Sequence, residues 1–160
     1  MRKSNQCIGL IFIILAMIGC DNDLVSEENK TFADFNWSET DTTRFELVVN
    51  DTTQAHSLRA QVRYNADFKY HNFYMTYWLL DSIGNTIDTQ LVNFSLFDPI
   101  TGKPLGDGFG SSYRSDYVLN ESLTFPYTGK YELKLLQYMR ESKLNGVESV
   151  GYRLERAATQ

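Results

Sequence analysis

Histidine, cysteine and proline are all scarce in this chain, with two, two and three copies among 160 residues. Each shortage removes a class of function. The only histidines are His56 and His71, and there is no Gly-x-Ser-x-Gly, His-Glu-x-x-His or phosphate-cradling glycine loop. The constellation that nucleophilic, metal-assisted or phosphoryl chemistry requires is therefore missing. No enzyme is expected, and no cofactor, metal or small-molecule substrate. Two carboxylates distant in sequence could still serve a glycosidase, a pairing that spacing does not test. A surplus of basic charge is also absent: 15 Lys and Arg face 20 Asp and Glu, a formal net charge of −5 with no basic block. Nucleic acid, which needs a positive patch, is excluded as a partner. Nor does any apolar run reach the roughly 20 residues that span a bilayer.

The longest apolar run, from Ile8 to Ile18, follows Arg2 and Lys3 and stops at Gly19-Cys20. A charged start, a short apolar centre and a small residue at the end make a secretory signal peptide. Met17-Ile18-Gly19-Cys20 resembles the lipobox of bacterial lipoproteins. The resemblance implies that a diacylglycerol joins the Cys20 sulfur, that residues 1–19 are cut away, and that the new N-terminus is acylated. Several acyl chains at about 0.8 kcal/mol per buried methylene hold a protein on a membrane almost permanently. Cys7 leaves with the signal and Cys20 carries lipid, so no disulfide is available within one mature chain. The exported domain must then be held by apolar packing, for which the 14% aromatic content provides.

Residues 20–36 read as a lipidated cysteine and a polar, acidic tether, and residues 37–160 as one domain. Beyond Trp37 the hydrophobic period is two. Phe45, Leu47 and Val49 alternate with Arg44 and Glu46, and Leu58, Ala60, Val62 and Tyr64 with Arg59, Gln61 and Arg63. His71 to Leu80 is apolar or aromatic on both faces, as in a central strand, and Trp78 is expected in the core. Asp98 to Gly110 holds two of the three prolines and forms the longest loop. About eight short strands, no helix and regular turns predict an all-β fold, an antiparallel β-sandwich of jelly-roll or Ig-like form.

Asp98-Pro99, Gly102-Lys103-Pro104-Leu105-Gly106-Asp107-Gly108-Phe109, Phe125-Pro126-Tyr127-Thr128-Gly129-Lys130-Tyr131, Gln137-Tyr138-Met139-Arg140, Leu144-Asn145-Gly146-Val147 and Val150-Gly151-Tyr152-Arg153-Leu154-Glu155 together resemble the gliding-motility lipoprotein family GldH. The likeness runs from about Asn65 to Arg156. It implies a lipoprotein of the Bacteroidota cell envelope, needed for gliding and working beside the type IX secretion machinery. Its partners would be the membrane, through Cys20, and other gliding or secretion envelope proteins. The outer membrane is the favoured address, on its periplasmic side. The family brings no catalytic residues.

Two sets of candidate contacts follow. Asp98, Gly106, Asp107 and Phe109 form a partner contact on the long loop, because loops carry function more often than strands. The alternative is a carbohydrate-binding module that stacks sugars on Tyr74, Trp78, Tyr113 and Tyr117. Asp98 and Asp107 do not have the spacing of an EF-hand calcium loop, so no metal is assigned to them.

Overall fold

The computed structural model describes residues 23–157, and the expected signal peptide and Cys20 lie outside them. Eleven strands alternate with turns: β1 Leu24–Thr31, β2 Asn36–Ser38, β3 Thr43–Val49, β4 His56–Asn65, β5 Asn72–Leu80, β6 Thr86–Ser95, β7 Asp107–Phe109, β8 Ser112–Leu123, β9 Gly129–Gln137, β10 Lys143–Asn145 and β11 Val147–Arg156. All pairings are antiparallel. One sheet has the order β1-β11-β4-β8-β7, the other β3-β9-β5-β6, and β2 pairs with β10 in a small third sheet. The expected β-sandwich is present, with more strands than the eight read from the pattern.

Alternation builds the core where it is strict. In β3, Thr43, Phe45, Leu47 and Val49 are buried while Arg44, Glu46 and Val48 face water. From the other sheet Tyr152 packs its ring, tilted by 59°, against Phe45 with centroids 5.3 Å apart, and its hydroxyl donates to the Glu46 carbonyl. Burial of such side chains contributes about 1.5–3 kcal/mol each.

Residues 20–36 are not a tether throughout, because Leu24–Thr31 is the edge strand of the five-stranded sheet. Its ladder to β11 is reinforced by charge. Glu27 receives the Arg153 guanidinium of β11 at 2.8 Å, whereas Lys30 ties the strand to Asp41, between β2 and β3, at 2.8 Å. Phe32 then stacks on the fully buried Trp37 at 5.0 Å, and the Trp37 indole N–H donates to the Asp41 carbonyl. Trp78 is also placed differently from expectation. Core positions on β5 are Phe73, Met75, Tyr77 and Leu79, which leaves Trp78 half-buried on the outer face.

Candidate functional site at the open side of the sandwich

The sandwich has four strand edges, and three of them are blunted. An unpaired edge presents free N–H and C=O groups that template pairing with another chain, so natural proteins protect it with charge, bulges or brevity. β1 carries Glu27, Glu28 and Lys30 and a register shift near its start. β3 carries Arg44 and Glu46, each ion-paired to β9 at 2.9 Å. β7 has only three residues. β6 is the least protected of them: it has ten residues, Thr-Ile-Asp-Thr-Gln-Leu-Val-Asn-Phe-Ser, without lysine or proline, and its register shift is confined to its start, where Leu79 pairs with Asp88 and Leu80 with Thr86. Its single charge is turned inward, where the Asp88 carboxylate accepts from the Tyr77 hydroxyl at 2.9 Å and the Asn120 amide at 2.8 Å. Burial and that carboxylate together push the Tyr77 phenol well above its usual range.

Exposed apolar side chains occur on this edge and in the loop that follows it. Leu91 on β6 is 49% exposed, and its cross-strand neighbours on the same outer face are Thr76 and then Leu136. Beyond β6 the chain enters the long loop, where Ile100 and Leu105 are exposed and Phe109 is 97% exposed. A cleft of about 900 Å³ separates Asn93, Phe94 and Ser95 of β6 from Leu105, Asp107 and the β8 residues 114–117.

The loop is built, not loose. Asp98 accepts hydrogen bonds from the Ile100 N–H, the Thr101 N–H and the Thr101 hydroxyl, at 3.0, 2.6 and 2.9 Å. Those bonds, the Thr101 pair above all, hold its carboxyl below the usual carboxylate range. The loop folds back on itself through Asp98 N–H to Lys103 O and Leu105 N–H to Leu96 O. Its anchor is Tyr64, fully buried on β4, whose hydroxyl donates to Leu96 O at 2.7 Å and accepts from the Gly106 N–H at 3.0 Å. Gly106 has to be glycine, since a Cβ there would sit 2.5 Å from both Arg114 O and Ser115 Oγ.

The four loop candidates therefore divide by role. Asp98 shapes the turn, Gly106 permits close packing against β8, and Asp107 and Phe109 face solvent. The four aromatic candidates do not form one platform. Tyr74 and Trp78 lie on the outer face of the four-stranded sheet. Tyr113 packs on Tyr64, and Tyr117 stacks on Phe94 at 4.0 Å and donates its hydroxyl to Ser95 O, closing the side of the sandwich. The residues that pattern reading overlooked are Leu91, Ile100, Leu105 and Tyr64. A ten-residue stretch with one charge and no proline was the available signal for the β6 edge.

The model of the GldH lipoprotein family matches residues 24–154. This chain belongs to the GldH lipoprotein family. A protein of Christiangramia forsetii named "Gliding motility lipoprotein GldH homolog" is 28% identical, covering 98% of this chain and 99% of its own length. "Gliding motility lipoprotein GldH" of Flavobacterium johnsoniae is 29% identical, covering 97% and 98%. Among solved structures, the infectious bursal disease virus VP2 subviral particle is 16% identical with a TM-score of 0.32, covering 88% of this chain and 40% of that one. That likeness is too slight to argue from. Membership in GldH implies a membrane-anchored envelope location. No helix among the described residues is long and apolar enough to cross a membrane.

Proposed function

We propose that this GldH lipoprotein is a non-enzymatic assembly component of the gliding and type IX secretion apparatus, anchored through Cys20 on the periplasmic side of the outer membrane. Its β6 edge takes up an extended segment of a neighbouring envelope protein. The observation that carries this reading is the contrast among the four edges: three are short or carry outward charges, and β6, the longest strand of its sheet, carries no outward charge and pairs without a bulge from Asp88 to Ser95. Backbone hydrogen bonds from Asp88 to Asn93, the part of β6 beyond its register shift, would supply affinity. Specificity would come from alternate side chains of the guest, which meet the Leu91, Thr76 and Leu136 face on one side and the cleft on the other. Asp107 and Phe109 stand at the rim as further contacts.

The test is a strain carrying Leu91→Lys, compared with deletion of the coding sequence. An outward lysine on an edge opposes strand addition and leaves the core untouched. Deletion is expected to abolish colony spreading and to alter the secreted-protein profile. Leu91→Lys, at normal protein level, is expected to reproduce both. Full spreading and secretion in the lysine strain would remove the edge from the mechanism. A Cys20→Ala strain is expected to accumulate unlipidated full-length precursor and to lose spreading.

A further inference from the structure

The outer face of the five-stranded sheet, away from the β6 edge, holds a second concavity that the assembly role does not use. Its volume is about 340 Å³, which suits a sugar ring or two by comparison with ordinary ligand sites of roughly 300–1,000 Å³. Four strands build it, and its chemistry is unusual for a solvated sheet face.

Arg63 on β4 and Arg114 on β8 stand directly opposite each other in register, and both line the concavity. Like charges so placed repel. Arg114 is partly neutralised by Asp116 at 3.0 Å and Glu27 at 3.4 Å, but Arg63 has no ion pair among the described residues. Its other neighbour in the sheet is Ser149. A pair of guanidiniums with an uncompensated charge facing a concavity is a receptor for a carboxylate or sulfate.

The floor is polar and incompletely paired. Gln61 is 2% exposed, and its Oε1 accepts from Asn29 at 3.1 Å while its Nε2 has no partner. The Asn29 side chain lies where a Cβ on Gly151 would be, so glycine at 151 is what lets the face dip. At the rim Phe35 is 46% exposed, and Asp34 and Phe35 both adopt left-handed backbone, at φ 54° and 53°. Two successive non-glycine residues in that region are rare and strained, and such strain clusters at ligand sites. The Phe35 carbonyl is fixed by the Gly146 N–H at 2.9 Å. Glu148, held by the Ser112 hydroxyl at 2.7 Å, supplies an acceptor on the same wall, and its carboxylate offsets part of the charge that the two arginines bring.

An aromatic ring for the C–H face of a sugar, amide and hydroxyl partners for its hydroxyl groups and two arginines for an acidic substituent occur together here. The geometry points to a binding site for an acidic sugar residue, a uronate or a sulfated sugar, on the Phe35, Arg63 and Arg114 face.

Calorimetric titration of the detergent-solubilised lipoprotein tests this with an oligogalacturonate, the neutral galactose oligomer, a sulfated galactose oligomer and inorganic sulfate. The expected result is binding of one or both acidic oligomers, at least about tenfold tighter than the neutral one, as the loss of a charged hydrogen bond implies. Which acidic oligomer binds better separates a uronate from a sulfated sugar. Phe35→Ala and Arg63→Ala should each weaken binding by roughly tenfold or more, with thermal unfolding unchanged because both side chains are exposed. No binding of either acidic oligomer overturns the proposal. So does equal binding of the neutral oligomer, or sulfate binding that matches the oligomers and survives Phe35→Ala, which would mark an anion site without a sugar.

Discussion

Tyr64→Phe separates the loop from the core more cleanly than any other single change. The ring keeps its edge contact with Phe97 at 5.2 Å and its contact with Tyr113 at 5.8 Å, so no cavity opens. What disappears is one oxygen with two bonds to the loop and a longer contact, 3.4 Å, to the Ser115 hydroxyl. Leu96 O retains the Leu105 N–H at 2.9 Å and loses only its second donor, at a cost of about 1 kcal/mol. Gly106 N–H loses its acceptor in a part-buried position, which costs about 1–3 kcal/mol. The total, about 2–4 kcal/mol, is a large share of the roughly 5–15 kcal/mol that holds a domain together. Urea unfolding of residues 21–160 measures it, and hydrogen exchange locates it. Exchange at Gly106 is expected to accelerate about tenfold or more, at 1.4 kcal/mol per tenfold, and the β4–β11 ladder, which opens only with the whole domain, accelerates in step with the fall in global stability. A loss below about 0.5 kcal/mol together with unchanged Gly106 exchange would refute the anchoring role of the hydroxyl.

Two further expectations concern positions far from the loop. Gly146→Ala places a Cβ on the Phe68 backbone at a residue with φ +83°, and about 3 kcal/mol should be lost from strain and displaced packing, read as a fall in the urea midpoint. His56, buried against Phe125 at 5.2 Å with Nδ1 unpartnered, is pushed by desolvation below its usual 6.5. The unfolded chain therefore binds the proton first. Stability is fully present above about pH 6.5 and declines as pH falls toward the depressed folded value. His56→Gln should flatten that decline between about pH 7.5 and 5.5, and an unchanged slope would assign it to other groups.

The strands that pattern reading found are those whose side chains sort cleanly between core and water. β3 alternates without exception, and β9 does so from Tyr131 onward, because each turns one face to the opposite sheet and the other to water. β1 escaped because its partners are the β11 backbone and Arg153, so its sequence shows charge where a strand usually shows Val or Ile. β2 and β10 have three residues each, too few for a period to register. Trp78 was misplaced since both faces of β5 are aromatic and the sequence does not say which one meets the opposite sheet. In the loop, glycine and proline marked an irregular segment correctly, but the Tyr64 hydroxyl that fixes it comes from 42 residues away. The Phe35 concavity had no local signal at all, as Asn29, Gln61, Arg114 and Ser149 come from four different strands.

Because β1 is a strand from Leu24 onward, only three residues separate it from Cys20. At about 3.3 Å per residue, a lipid on that sulfur leaves a leash of roughly 13 Å. The protein would swivel on its anchor but could not extend from it. The end of the sheet that carries Leu24, His56, Leu123 and Arg156 would rest near the bilayer, whereas Thr31, Asn65 and Ser112 mark the other end. Nine steps along β4 set those ends about 30 Å apart. The Phe109 tip and the Phe35 concavity both belong to the distal end. A lipid-held post of limited reach would thus present the rim of the β6 cleft and the Phe35 concavity at one level above the bilayer, and a partner would have to come to that level to be met.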